Sequence, residues 1–236
     1  HLFKILYFSR AYTPHDHRFL SALAQTGHMV GFLRLESSGH SQESRPLPPQ
    51  IQVLEWAGGR RPVRLGDGYR LLGDLKRVIA SFQPDVIHAG PIQTAAFLTA
   101  LTGFKRLVSA SWGYDLLFDA RRSPLWTWAT RYTLKRSAAF VGDCATIRNL
   151  AVSYGMNPAR IVTFPWGVDI RQFQPGSDNG LRQRLGWDES HFVLLSTRSW
   201  APLYGVEDLA RAFVQAADQA PELRLLLLGS GPQAEL

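Results

Sequence analysis

Short apolar runs alternate with helix-like stretches along the first 165 residues, and this alternation restricts the fold more than any other feature of the sequence. The runs have strand length, and the stretches between them carry apolar residues at helical spacing. The first helical pattern begins at Phe19 after a polar loop at Thr13–Arg18, and a Ser- and Gly-rich loop is predicted at Ser37–Ser44. Further helices are predicted near Tyr69–Phe82, Ile92–Thr102, Leu125–Arg136 and Thr146–Tyr154. Strands that alternate with helices in this way form a parallel sheet with helices on both faces. We therefore expect an α/β, doubly wound fold with predicted strands at Phe3–Ser9, His28–Leu35, Ile51–Trp56, Asp85–Ala89, Arg106–Ser111, Ala138–Gly142 and Arg160–Phe164.

The alternation is interrupted at Pro165–Asp178, a stretch with two prolines, two glycines and mixed polar residues. Such a composition is typical of a linker between compact units. The pattern then restarts with predicted strands at Phe192–Thr197 and Leu223–Leu228 around a helix at Val206–Gln219. We predict domains at 1–165 and 179–236 joined by a linker at 166–178, and we expect the sheet of the second domain to be incomplete.

The composition indicates a folded, soluble protein with 45% hydrophobic residues and one cysteine, Cys144, which has no partner for an intrachain disulfide. No apolar run approaches the length of about 20 residues that spans a bilayer, and the first residues form too short an apolar run for a signal peptide. A cytoplasmic location is the expectation, with peripheral membrane contact left open.

A net charge of +7 favours an anionic partner such as phosphate, nucleic acid or an anionic lipid surface, without choosing among them. Basic residues cluster in two places, of which the second contains interleaved Trp126 and Trp128. We interpret that cluster as a solvated helix face with a packed aromatic side. The clusters are Arg60, Arg61 and Arg64, and Arg121, Arg122, Arg131, Lys135 and Arg136.

Ligands of doubly wound sheets bind at the carboxyl ends of the strands, so the residues that directly follow a strand are the candidates for a site. The candidates follow the first, fourth and fifth strands and should face one crevice. An acceptor sugar or phosphate is held by dense hydrogen bonds, many of them charge-assisted. The predicted acceptor-binding residues are His15, Asp16, His17, Arg18 and Trp112, and the predicted catalytic residues are His88 and Asp115.

Structural alternatives exist for several of these residues. Thr13 or Asp16 would serve equally well as the cap of the first helix, with Pro14 in its opening turn. His88 fits a hydrogen-bonded histidine at a strand end, and Trp112 a core residue. His15 and His17 form a weak metal signature because no third ligand is near them in the sequence, so we expect no metal.

The second domain contains Arg198 directly after a predicted strand and before a helix. An arginine there can pair with a diphosphate that also meets the unpaired amides of the helix; the alternative is a surface arginine. A nicotinamide-dependent oxidoreductase would need Gly-x-Gly-x-x-Gly after a strand and an acidic residue about 20 positions later. The Gly229-Ser230-Gly231 run has neither.

In order and spacing, four features resemble glycosyltransferase family 4 of the GT-B fold: Pro165-Trp166-Gly167-Val168-Asp169, then Phe173 and Pro175, then the Arg198 loop, then LLLLGSGPQAEL. The family has Asn-Gly-Val-Asp in the linker, Gly-Arg and a later Lys-Gly after the next strand, and Gly-x-Gly-Pro after a further strand. The resemblance covers essentially the whole chain and is strongest from residue 138 onward.

The resemblance implies two Rossmann-like domains, an acceptor-side N-terminal one and the beginning of a C-terminal one that binds a nucleotide sugar. It implies transfer of a sugar from a nucleotide diphosphate sugar to a lipid, polysaccharide or small-molecule acceptor, with retention at the anomeric carbon. The resemblance further implies that no cofactor, metal ion or nucleic acid takes part. A role in polysaccharide biosynthesis fits this activity.

Carried over residue by residue, the resemblance assigns the donor diphosphate to Arg198, with Tyr204 where the family has lysine. Trp166 replaces the usual asparagine, and Trp112-Gly113-Tyr114-Asp115 resembles a His-Gly-x-Asp turn with tryptophan for histidine. His88 resembles a residue of the acceptor crevice. The paired glutamates that hold the donor would lie beyond Leu236, so we expect no turnover by this chain. A non-catalytic sugar- or lipid-binding lobe is the alternative.

Overall fold

The computed structural model describes residues 1–37, 43–171, 173–176 and 180–235, without the side chain of Leu65. The chain divides into two compact units, His1–Gly167 and Val168–Leu236. The predicted boundary at residue 165 lies two residues before this division. Residues 38–42 of the predicted Ser37–Ser44 loop and residues 172, 177 and 178 of the predicted linker lie outside the described residues.

The first unit contains a seven-stranded sheet in the order β3-β2-β1-β4-β5-β6-β7, and every neighbouring pair is parallel. The chain therefore starts in the middle of the sheet, builds one side and then crosses β1 to build the other. This is the doubly wound α/β arrangement that the alternating pattern predicts. The strands are β1 (Lys4–Ser9), β2 (Met29–Arg34), β3 (Ile51–Val53), β4 (Val86–Gly90), β5 (Leu107–Ala110), β6 (Ala139–Gly142) and β7 (Ile161–Thr163).

Helices cover both faces of this sheet, as predicted, but unequally among the described residues. The helix α1 packs on the face that carries Tyr7, whereas α2, α3, α5 and α6 pack on the opposite face. Val162, on the α1 side of the edge strand β7, is consequently 53% exposed. The helices are α1 (Pro14–Ala24), α2 (Gly68–Phe82), α3 (Phe97–Leu101), α4 (Tyr114–Leu117), α5 (Pro124–Arg136) and α6 (Ala145–Ser153).

The core is centred on β1, whose side chains alternate between the two faces. Leu6 and Phe8 are fully buried against α2 and the neighbouring strands, and Tyr7 is buried against α1 on the other side. Full burial of a leucine or phenylalanine side chain stabilises a fold by about 1.5–3 kcal/mol. Because β1 is apolar on both faces, it occupies the middle of the sheet.

In the first unit, the starts of two helices and one short helix differ from the sequence-based expectation. The first helix begins at Pro14, so residues 14–18 lie in its first turns and not in a loop. The predicted Ile92–Thr102 helix opens with a π-helical turn at Ile92–Ala96 before α3. The short helix α4 was not predicted, because four residues are too few to show helical periodicity.

The second unit contains two parallel strands, β8 (Phe192–Ser196) and β9 (Leu223–Leu227), and the helices α7 (Leu181–Arg184) and α8 (Val206–Ala217). Phe192, Leu195 and Val214 are each about 60% exposed, between 58% and 62%. The sequence predicts β8, α8 and β9, but α7 has too few residues to show helical periodicity. Across the described part of the chain, no helix combines the length and apolarity needed to cross a membrane.

The segment around the division between the units is open to solvent. Val168, Ile170 and Phe173 expose 66%, 76% and 67% of their surface. Thermolysin, which cleaves before bulky apolar residues, should therefore cut first between residues 165 and 176 and release the two units as separate fragments. Mass spectrometry of a time course would locate the cut. An earliest stable cut between residues 85 and 165 would contradict the two-domain division.

Candidate functional site

The residues that follow β1 are fixed by a capping box at the start of α1. The Thr13 hydroxyl accepts from the Asp16 amide at 3.4 Å, and the Thr13 amide donates to Asp16 Oδ2 at 2.8 Å. Tyr7 donates its hydroxyl to Asp16 Oδ1 at 2.9 Å. Asp16 is fully buried and both its oxygens are occupied, so the capping interpretation holds. Direct acceptor contact by Asp16 stays a prediction.

His15, one residue before, points outward and joins an aromatic cluster, defined here as His15, Phe19, Trp112, Phe164 and Trp166. The contacting rings have centroids 5.2–6.4 Å apart, and His15 stacks on Trp112 at 5.6 Å. All five side chains are exposed or half-buried. The residues after β1, β5 and β7 thus meet at the carboxyl edge of the sheet, as predicted for β1 and β5.

Arg18 and His17, the other predicted acceptor residues of α1, lie on different sides of the helix. Arg18 Nη2 donates to the backbone carbonyl of Trp166 at 2.6 Å and so supports one wall of the aromatic cluster. His17 contacts the Tyr12 hydroxyl through Nδ1 at 2.6 Å, and it makes no ring contact with the cluster. Arg18 remains a candidate, whereas the structure places His17 outside the aromatic cluster.

His88 on β4 lies next to this cluster. Its ring stacks on Tyr7 at 4.9 Å and approaches Phe19 at 6.3 Å. Removal from water disfavours the charged imidazolium and lowers the pKa of His88 to about 4. The side chain is therefore neutral at pH 7, and it can exchange hydrogen bonds with a hydroxyl group but cannot supply a positive charge.

Asp115, predicted to be catalytic, is buried beneath the turn that follows β5. Its carboxylate accepts from the Ser111 hydroxyl at 2.6 Å, from the Ile92 amide at 3.0 Å and from the Leu116 amide at 3.1 Å. Only 2% of the residue is exposed. The carboxylate joins the turn after β4 to the turn after β5, so its hydrogen bonds give it a structural role. The catalytic role of Asp115 stays a prediction.

Burial also raises the pKa of Asp115 from 3.8 to about 6, although its hydrogen bonds oppose this shift. The folded state then binds the proton more tightly than the unfolded state, so Asp115 contributes most to stability below pH 4 and this contribution is lost as pH rises through 6. Relative to Asp115→Asn, the free energy of unfolding of the wild type should fall by about 2–3 kcal/mol between pH 4 and pH 7. Urea titrations monitored by tryptophan fluorescence would measure this fall in the free energy of unfolding. A difference between the wild type and Asp115→Asn that does not depend on pH would contradict the raised pKa of Asp115.

Asp143, the first residue after β6, is a further candidate that was not predicted from the sequence. Ala110 pairs with Val141 and Gly142 with Thr163. Continued past the strand ends, this register aligns Asp143 with Trp112 on one side and Phe164 on the other. Its Oδ1 is buried and has no hydrogen-bond partner among the described residues. An unsatisfied buried carboxylate oxygen calls for a partner such as a ligand hydroxyl. Its position directly after a strand was the signal that could have identified it.

The Asp143 carboxylate interacts electrostatically with the His15 imidazole. Burial and Arg18 lower the pKa of His15, while Asp16 and Asp143 oppose this effect. Asp143→Asn should therefore lower the pKa of His15 further, which an NMR titration of the imidazole would measure. Asp119→Asn is the matched control, since the Asp119 carboxylate interacts with Arg122 and Arg10. An unchanged pKa of His15 in Asp143→Asn would show that the carboxylate does not face the cluster.

In the second unit, Arg198 and Tyr204, the predicted donor phosphate residues, lie close together. Arg198 is exposed two residues after the end of β8, and its guanidinium carbon lies 5.8 Å from the centre of the Tyr204 ring. It forms no ion pair with any residue that the structure describes. Both side chains are therefore accessible to an anionic ligand.

The backbone around Arg198 is held by the loop that follows β9. The Trp200 amide donates to the Ser230 carbonyl at 2.9 Å. A Cβ at Gly229 would lie 2.6 Å from the Arg198 carbonyl oxygen, and one at Gly231 would lie 2.3 Å from the Trp200 carbonyl oxygen. Only glycine permits this approach, which explains the Gly-x-Gly run at the end of the sequence.

A Rossmann-like α/β unit with a parallel seven-stranded sheet is the architecture found in glycosyltransferases of the GT-B fold. Residues 13–167 match the model of the glycosyl transferase 4-like domain, and the chain belongs to this family. The sequence resemblance to glycosyltransferase family 4 is thereby confirmed.

Individual relatives agree with the family. The chain is 23% identical over 158 residues to a GDP-mannose-dependent monoacylated alpha-(1-6)-phosphatidylinositol monomannoside mannosyltransferase of Corynebacterium glutamicum, covering 61% of this chain and 38% of the relative. Two solved structures share the fold. Anabaena HepE in complex with UDP and glucose has a TM-score of 0.67 at 18% identity, covering 99% of this chain and 62% of HepE. Sucrose-phosphate synthase from Thermosynechococcus elongatus has a TM-score of 0.70 at 14% identity, covering 98% of this chain and 63% of the synthase.

Proposed function

We propose that the chain carries the acceptor side and part of the donor side of a retaining glycosyltransferase. The donor is a nucleotide diphosphate sugar, and the acceptor is a sugar or a lipid-linked polyol. No metal or cofactor is part of the proposal. The observation that carries it is Arg198, whose exposed guanidinium has no ion-pair partner among the described residues and lies at the carboxyl end of a parallel strand in a member of a glycosyltransferase family.

Arg198 suits the donor diphosphate because a guanidinium can donate two parallel hydrogen bonds to phosphate oxygens. The negative charge on the diphosphate is greatest as the glycosidic bond breaks, so a fixed cation stabilises the transition state more than the bound donor. We propose front-side substitution, in which the departing diphosphate helps to accept the proton of the incoming hydroxyl. The protein then supplies position and charge.

The aromatic cluster suits the acceptor. A sugar or cyclitol ring presents C–H groups on its faces and hydroxyl groups around its rim, so it can pack on the Trp112 and Trp166 rings while its hydroxyl groups meet polar atoms. The polar groups available are the neutral His88 imidazole and the unpartnered Asp143 oxygen. In this proposal, His88 contacts the acceptor, and Asp115 and Asp16 hold the loops that present the cluster.

Removal of the Arg198 guanidinium tests the donor assignment. In a protein that carries this chain within the full length of its relatives, Arg198→Ala should cost about 2–4 kcal/mol of transition-state stabilisation and should weaken donor binding. Tyr204→Lys adds a second cation near the same loop and should tighten donor binding. Titration and transfer rates with UDP-glucose and GDP-mannose would measure both.

The matched control is Arg211→Ala, because Arg211 is exposed on α8 and paired with Glu207 at 2.7 Å. The donor affinity of Arg211→Ala should equal that of the wild type. Unchanged affinity and rate in Arg198→Ala would refute the donor site.

A non-catalytic sugar- or lipid-binding lobe is the second candidate function, favoured by Tyr204 in the position where the family has a lysine. Measurement of sugar transfer separates the two candidate functions. Such a lobe would bind an acceptor in the wild type and show no transfer with either donor, in the full-length context as well.

A further inference from the structure

The surface formed by α4, the turn after it and the start of α5 exposes several large apolar side chains side by side. Tyr114, Leu117, Phe118 and Leu125 are 42–64% exposed, and the Tyr114 ring stacks on Phe118 at 4.9 Å. Single exposed apolar residues are ordinary on soluble proteins, whereas a group within twelve consecutive residues indicates an interaction site. We call Tyr114, Leu117, Phe118, Arg121, Arg122 and Leu125 the basic aromatic surface.

Two arginines give this surface its charge. Arg121 and Arg122 line one shallow concavity together with Tyr114, Leu117 and Phe118, and Asp119 is the acidic residue in the same lining. The Arg122 guanidinium lies 5.3 Å from the centre of the Trp126 ring. Within the described ranges neither arginine forms an ion pair, so both can bind an external anion.

The basic character continues along α5. Arg131, Lys135 and Arg136 are exposed on this helix, and Trp128 is 50% exposed beside them. None of these cations pairs with a carboxylate of the described chain. A helix that presents tryptophan together with unpaired arginine and lysine matches the boundary between lipid headgroups and acyl chains.

We propose that the basic aromatic surface docks the protein on an anionic membrane. Arg121 and Arg122 would contact lipid phosphates while Leu117, Phe118 and Leu125 enter the headgroup region. The aliphatic side chains favour lipid over nucleic acid, which is bound by aromatic stacking between cations. Tyr114 lies two residues after Trp112, so the docked surface adjoins the aromatic cluster and brings it to the membrane plane, where a lipid-linked acceptor resides.

Vesicle co-sedimentation of this chain tests the proposal without any transfer reaction, so its failure would leave the proposed function standing. We expect binding to vesicles of phosphatidylcholine and phosphatidylglycerol in equal parts, and much weaker binding to phosphatidylcholine alone. Since each basic residue near an anionic surface contributes about fivefold, Arg121→Gln/Arg122→Gln should weaken binding by roughly 25-fold. Leu117→Ser/Phe118→Ser should weaken it as well.

The matched controls remove arginines and an exposed aromatic side chain elsewhere on the first unit. Arg60→Gln/Arg64→Gln removes two exposed cations from the loop before α2, and Tyr69→Ser removes a side chain that is 92% exposed on α2. Both should bind like the wild type. Circular dichroism should show that all variants are folded.

Three results would overturn the proposal. The first is no binding to anionic vesicles by the wild type. The second is an equal loss of binding in Arg121→Gln/Arg122→Gln and in Arg60→Gln/Arg64→Gln, which would indicate diffuse attraction by the net charge. The third is unchanged vesicle binding by Leu117→Ser/Phe118→Ser together with the loss of another interaction. Loss of self-association in sedimentation velocity would assign the surface to a second copy of the chain. Loss of binding to a single-stranded RNA would assign it to RNA.

Discussion

The parallel pairing of β1 with β2 on one side and β4 on the other is the constraint on which the first unit depends. It puts the carboxyl ends of all seven strands at one edge, so segments far apart in sequence end beside each other. Tyr7 on β1 illustrates the result: its hydroxyl binds Asp16 at the start of α1, and its ring stacks on His88 of β4. The aromatic cluster lies where these chain segments meet.

Two buried carboxylates fix the loops that follow β1, β4 and β5. Asp16 closes the capping box of α1, and Asp115 receives hydrogen bonds from the turns after β4 and β5. A buried carboxylate is unfavourable unless its oxygens are satisfied, and burial raises the pKa of both groups. The hydrogen bonds offset this cost and, at the same time, determine which way His15 and Trp112 face. Asp16 and Asp115 therefore support the rings of the aromatic cluster from behind.

The fold and the location of the candidate site could be predicted from the sequence, because strand periodicity marks where each strand ends. It could not distinguish Asp16 as a cap from Asp16 as a ligand, since the same residue type serves both purposes at the same position. Asp115 posed the same difficulty: whether its carboxylate points inward depends on the Ile92 amide, 23 residues earlier. Asp143 was overlooked because its significance comes from its neighbours across the sheet, Trp112 and Phe164, and not from a local motif.

The close approach of Gly229 and Gly231 to the backbone at Arg198 and Trp200 also concerns how the second unit acquires its structure. The contact joins residues about thirty positions apart, as the Trp200–Ser230 hydrogen bond does. The contact therefore couples the order of the loop that carries Arg198 to the pairing of β9 with β8, which closes a long loop. A locally unfolded state in which β9 detaches would also lose the contacts that Gly229, Ser230 and Gly231 make with the arginine loop.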